Sequence, residues 1–157
     1  MHGVMRLQQR HSRVLVTLAL LASIASPAVV AAEFRSIAEN RTLMYDSPSA
    51  KGKKLFLADR LYPVEVVVTL DQWIKVRDVA GDIAWVERKA LSDKRTVIVR
   101  VKEAALRKGA DSRAAIAYRA AQNVVLEVIE TAAPGWLKVR HRDGDIGFIS
   151  NGDVWGS

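Results

Sequence analysis

Apolar and polar positions alternate along this chain in short runs, and the clearest is Trp73-Ile74-Lys75-Val76-Arg77. On an extended backbone Ile74 and Val76 share one side, while Trp73, Lys75 and Arg77 share the other. The same order returns in Trp136-Leu137-Lys138-Val139-Arg140. Around these runs the pattern predicts further strands from Val64 to Leu70 and from Ile83 to Glu87, then from Val124 to Glu130 and from Ile146 to Ser150. Ala80-Gly81-Asp82 and Asp143-Gly144-Asp145 separate them as hairpin signals, because glycine takes positive φ without steric cost. Pro63 can open a strand but cannot sit inside a sheet. The segment from Ala110 to Gln122 holds six alanines and has helix propensity, but its counterpart from Pro48 to Arg60 carries proline, glycine and clustered lysines. Both segments are therefore predicted as loop and strand.

The counterpart exists because the chain repeats itself. Residues 73–86 align with 136–149 at a spacing of 63, with seven of 14 positions identical. Average composition predicts roughly one identity in such a stretch, so this is a duplication. Upstream the spacing is 62, with one extra residue in the second copy near Ala132-Ala133-Pro134. Two units of about 60 residues are too few for a stacked solenoid, so two small domains in tandem are expected, 33–93 and 94–157. Ser92-Asp93-Lys94 joins them without glycine or proline, which predicts a tight connection with the domains in contact.

Each unit reads as a Leu43 or Leu106 segment ending in Ser47-Pro48 or Gly109-Ala110, then Val64-Glu65-Val66 or Leu126-Glu127-Val128. The Trp73 or Trp136 run follows, and then Gly81 to Ala84-Trp85-Val86 or Gly144 to Gly147-Phe148-Ile149. This order resembles the bacterial Src-homology-3 (SH3-like) domain over about residues 35–155. The resemblance implies an all-β fold of two tandem, strongly bent, antiparallel SH3-like β-barrels. It also implies a non-catalytic role, since such domains usually serve as recognition modules of envelope proteins.

The start of the chain is of a different kind. Arg6, Arg10 and Arg13 precede a nearly continuous apolar run from Val14 to Ala25, followed by Pro27 and Val30-Ala31-Ala32. That is the layout of a secretory signal peptide over residues 1–32, with cleavage expected between Ala32 and Glu33 and a periplasmic or secreted destination. The competing reading is an uncleaved anchor using Val14 to Ala31; after cleavage no stable membrane span is expected. A lipid anchor is excluded, because the chain contains no cysteine. Among 157 residues there are 24 Lys+Arg against 17 Asp+Glu, a net charge of +7. The signal segment holds three of the positive charges, so the exported part has 21 basic against 17 acidic residues, a solvated surface rather than a nucleic-acid footprint.

Candidate chemistry is sparse. Without cysteine, and with His141 as the single histidine after residue 32, Cys-His hydrolases are excluded by inventory. Asp143 and Asp145 flank a hairpin glycine and read as turn formers, and His141 reads as a surface strand residue. No catalytic residue, metal site or cofactor is expected. The outward side of the Trp73 run offers an aromatic ring beside two cations. With Tyr45, Tyr62 and Trp85 it forms the expected ligand groove, Tyr45, Tyr62, Trp73, Lys75, Arg77 and Trp85, suited to an extended peptide or a sugar ring. Trp136, Lys138, Arg140 and Phe148 are the second-copy equivalents, expected either to repeat that face or to fill the junction between domains. The competing reading of the whole face is packing, with the lysines and arginines as solvated edge charges. The expected function is an exported binding module recognising a peptide, a peptidoglycan-type ligand or an envelope protein. The alternative is a structural accessory that docks on one envelope partner and takes no small ligand.

Overall fold

The computed structural model describes residues 31–157. The expected signal segment, save its last two residues, lies outside the described residues. Residues 33–92 form seven strands, β1 (Glu33–Ile37), β2 (Thr42–Tyr45), β3 (Lys54–Ala58), β4 (Pro63–Thr69), β5 (Trp73–Arg77), β6 (Ile83–Glu87) and β7 (Leu91–Ser92). The second set is β8 (Thr96–Val99), β9 (Glu103–Arg107), β10 (Ile116–Ala121), β11 (Val125–Ala133), β12 (Trp136–Arg140), β13 (Ile146–Ser150) and β14 (Val154–Trp155). A single 3-10 turn precedes the last strand of each set, Arg88–Ala90 and Asn151–Asp153.

The two sets build two antiparallel seven-stranded sheets with one topology, β3-β2-β6-β5-β4-β1-β7 and β10-β9-β13-β12-β11-β8-β14. Each sheet bends round its own core. Ile37, Met44, Val64, Val76 and Val86 meet from five different strands in the first, and Val99, Leu106, Leu126, Val139 and Ile149 in the second. Burying each such side chain stabilises by about 1.5–3 kcal/mol before entropy is counted. The edge strands of each sheet do not pair with one another, so the units are bent open sheets rather than the closed barrels expected. The reason lies in the last strand. β7 and β14 are two residues long, and each bonds only to the strand that opens its unit.

The extra residue of the second copy has a defined place. The β4–β5 ladder shifts register once, between Val66 and Val68, whereas β11–β12 shifts twice, between Val128 and Glu130 and again between Thr131 and Ala133. An insertion in a strand is accommodated as a bulge, which leaves the pairing beyond it intact.

Residues 31–157 form one compact unit, with the two sheets in direct contact. Phe34 of β1 meets Trp155 of β14 edge to face, with ring centroids 5.0 Å apart at 84°. The hydroxyl of Thr96, only 2% exposed, donates to the Leu61 carbonyl at 2.7 Å. The fully buried Ser36 hydroxyl donates to the Lys94 carbonyl at 2.8 Å, and Arg35 pairs with Asp93. Gly156, at φ +107°, lies so close that a Cβ there would stand 2.9 Å from the Thr96 carbonyl and 3.3 Å from Pro63.

Candidate functional site

The alternation in β5 translates directly into two faces. Ile74 and Val76 are buried in the first core, Trp73 and Lys75 are half-buried, and Arg77 is exposed; β12 repeats the pattern residue for residue. Register then decides what stands beside each outward side chain. Lys75 is directly opposite Trp85 on β6, and its ammonium lies 5.1 Å from the indole centroid. Lys138 faces Phe148 on β13 in the same way, at 6.0 Å. Tyr45 of β2 pairs with Trp85 from the other side, and its ring meets Trp73 edge-on at 5.4 Å and 89°. Tyr45 is only 7% exposed, so it supports Trp73 from beneath and offers little surface itself.

Beside Trp73 opens a depression of about 380 Å³, lined by Pro48, Ser49, Ala50, Gln72, Glu87 and Lys89. One wall is the loop between β2 and β3. Asp46 closes that loop, its carboxylate accepting from the Lys53 amide at 2.9 Å and from the Ser47 hydroxyl at 3.0 Å. Gly52 packs closely there, since a Cβ would stand 2.5 Å from the Ser47 hydroxyl oxygen and 3.0 Å from the Ser49 carbonyl. On the opposite wall the Lys89 ammonium pairs with Glu87 at 2.7 Å, and that hydrogen bond and charge raise the lysine's pKa.

Charges on the two copies are not equivalent. Arg77 pairs with Glu65 across the β4–β5 ladder at 3.0 Å, so it is not a free cation for a ligand. Lys75 lies opposite Val68 and makes no ion pair among the described residues, whereas Lys138, opposite Glu130, pairs with it at 3.3 Å. The first copy thus keeps a lysine held only by an aromatic ring, and the second neutralises it.

Not every residue expected in the groove stands there. Tyr62 packs on the first core at the opposite end of β5, by the Asp78–Asp82 turn. Burial raises its pKa first, then the charge of Asp78; a backbone hydrogen bond at Val79 acts the other way, and Asp82 raises it further. Among the described residues Trp136 takes no part in the aromatic and hydrogen-bond contacts that join the two sheets; it opens β12, opposite Ala133 and Ser150. Trp155 with Phe34 fills the junction instead. That role was invisible in the repeat, because Ser92 occupies the place of Trp155 in the first copy. His141, expected on the surface, is 8% exposed in the turn after β12, its ring 5.2 Å from that of Tyr118.

A pair of bent open sheets of this strand order, each presenting an outward aromatic and lysine from its central strand, defines an SH3-like fold repeated in tandem. The family model described as the bacterial SH3 domain matches twice, over residues 38–93 and 100–156, and the chain belongs to that family. No curated protein matches the chain. Among solved structures it is similar to NlpC2 from Trichomonas vaginalis, with 14% identity over 81% of this chain and 49% of that one, at a TM-score of 0.35. NlpC1 from Trichomonas vaginalis is similar with 16% identity over 90% of this chain and 51% of its own, also at 0.35. The chain spans about half the length of these two proteins.

Proposed function

We propose that this protein is an exported, non-catalytic binding module of the cell envelope, recognising a peptide, a peptidoglycan-type ligand or an envelope protein at the Trp73 face of its first domain. The observation that carries the reading is the asymmetry between copies. In the first, Lys75 lies over Trp85 with no carboxylate partner, beside the depression bounded by Trp73 and the Pro48 loop. An indole wall with an adjacent lysine suits an extended chain bearing a carboxylate, and a depression of this size takes one or two side chains. The non-catalytic part rests on the residue inventory, which has no cysteine and one histidine beyond residue 32. Export rests on the signal-like pattern of residues 1–32.

The second reading is a structural accessory docking on one partner, and the near-complete burial of Tyr45 against Trp73 favours it, because part of the aromatic surface is spent on packing. Co-sedimentation with purified peptidoglycan separates the two. Binding that is lost in Trp73→Ala/Trp85→Ala, with the circular dichroism spectrum retained, supports the first. Unchanged sedimentation of a folded double variant overturns it.

A further inference from the structure

A second cleft, distinct from the Trp73 face, lies between the two sheets. It has a volume of about 570 Å³ and is lined from the first unit by Arg60 and Leu61 and from the second by Asn123, Val124, Val125, Glu127 and the Arg140-His141-Arg142 run. Three arginines and one glutamate therefore surround an aliphatic floor. The glutamate is already engaged, since Glu127 pairs with Lys94 at 3.0 Å. Arg142 reaches only the exposed Asp143, at 3.8 Å. Arg60 and Arg140 meet no carboxylate among the described residues.

The state of Arg140 is a departure from the repeat. Its counterpart Arg77 is held by Glu65 directly across the ladder, and Arg140 likewise lies across the ladder from Glu127. In the second unit the connecting lysine Lys94 takes that glutamate, so the guanidinium beside the cleft is left without its partner. The backbone on the facing wall is also unusual. Leu61 holds φ +71°, a left-handed conformation that a bulky side chain adopts only under constraint, where its counterpart Asn123 at φ +68° is a residue type that tolerates it. The conformation is fixed from both sides, by the Leu61 amide donating to Ile37 at 2.8 Å and its carbonyl accepting from Thr96 at 2.7 Å. It places an apolar residue at the cleft.

We propose that this cleft binds an acidic peptide, with Arg60 and Arg140 taking two of its carboxylates and an intervening apolar side chain lying on Leu61, Val124 and Val125. Guanidinium groups match carboxylates through paired N–H donors, and two such groups lining one cleft with Leu61, Val124 and Val125 favour an anion that also carries an apolar side chain over a bare inorganic ion. Because the two guanidinium groups come from different domains, the site exists only while the sheets are in contact.

The test uses the purified protein and the blocked tripeptide acetyl-Glu-Leu-Glu-amide, with acetyl-Gln-Leu-Gln-amide and inorganic phosphate as parallel probes. Calorimetric titration should detect the acidic peptide alone, and amide shifts on binding should centre on Val124, Val125 and His141. Arg60→Gln and Arg140→Gln, both at exposed positions, should each weaken binding about tenfold, as expected for loss of one charge-assisted contact. Trp73→Ala should leave the affinity unchanged, which separates this site from the Trp73 face. Equal affinity for the Gln-Leu-Gln peptide, displacement of the acidic peptide by equimolar phosphate, no binding at millimolar peptide, or full affinity in both arginine variants would each overturn the proposal.

Discussion

His141 occupies in the second unit the place of Asp78 in the first, and the two turns show how different side chains meet one demand. The Asp78 carboxylate accepts from the amides of Ala80 and Asp82 at 2.9 Å each, while Gly81 bends back at φ +93°. In the second copy the His141 ring nitrogen Nδ1 takes the amide of Asp143 at 3.4 Å, and Gly144 bends at φ +98°. The Asp78 turn also sets the surroundings of Tyr62, whose phenol is kept neutral by burial and by the neighbouring carboxylates. A phenol whose folded pKa is raised above its unfolded value near 10 contributes stability that is complete below that pH. The contribution disappears as pH rises through the folded pKa. Tyr62→Phe should therefore flatten the fall in melting temperature above about pH 10. Melting curves from pH 8 to pH 11.5 check it, and an unchanged alkaline slope would contradict it.

At the scale of elements, strand register converts one sequence run into two unlike faces. Lys75→Glu should weaken capture at the Trp73 face with the melting temperature nearly unchanged, since the half-buried Lys75 makes no ion pair among the described residues and its contact with the Trp85 ring contributes about 1 kcal/mol or less. Lys138→Glu in the second copy should leave capture alone, although it places an acid beside Glu130; capture assays with thermal melts on both variants decide the matter. The approach of β9 to β13 supplies another case. A Cβ on Gly147 would stand 2.9 Å from the Leu106 Cβ and 3.3 Å from the Arg107 carbonyl, whereas the first copy accepts Ala84 at the same place, 2% exposed. Gly147→Ala should cost about 1–3 kcal/mol by forcing two paired strands apart. Ala84→Gly should cost less, about 1 kcal/mol, by loosening one. Urea denaturation of both variants measures the pair.

For the whole molecule the decisive feature is the junction. A unit of about 60 residues buries only some 60% of its unfolded surface and is marginal alone. Here the half-buried Phe34–Trp155 ring pair and the hydrogen bonds of the buried Ser36 and Thr96 hydroxyls tie two such units together. The described residues should therefore melt in one transition, for which coincidence of calorimetric and van't Hoff enthalpies is the measure. Trp155→Ala should lower stability by about 2–3 kcal/mol or split the transition in two. Trp136→Ala should leave it single, because Trp136 opens β12 away from the Phe34–Trp155 contact.

The duplication and the outward row of Trp73, Lys75 and Arg77 were legible in the sequence itself, and the SH3-like fold was implied by the resemblance of its motif order to that family. Period-two alternation and hairpin glycines act over a few residues, and a repeat is a comparison of the chain with itself. Which outward side chains meet was not legible. Glu65 neutralises Arg77, Lys94 draws Glu127 from Arg140, and Tyr62 stands at the wrong end of β5 to join Tyr45, all through pairings between strands or across the junction. The barrel stayed open because β7 and β14 reach only two residues each and pair only with the strand that opens their unit. Trp155 became the junction residue through one contact with Phe34 across 121 positions of chain, and only tertiary packing brings two such residues together.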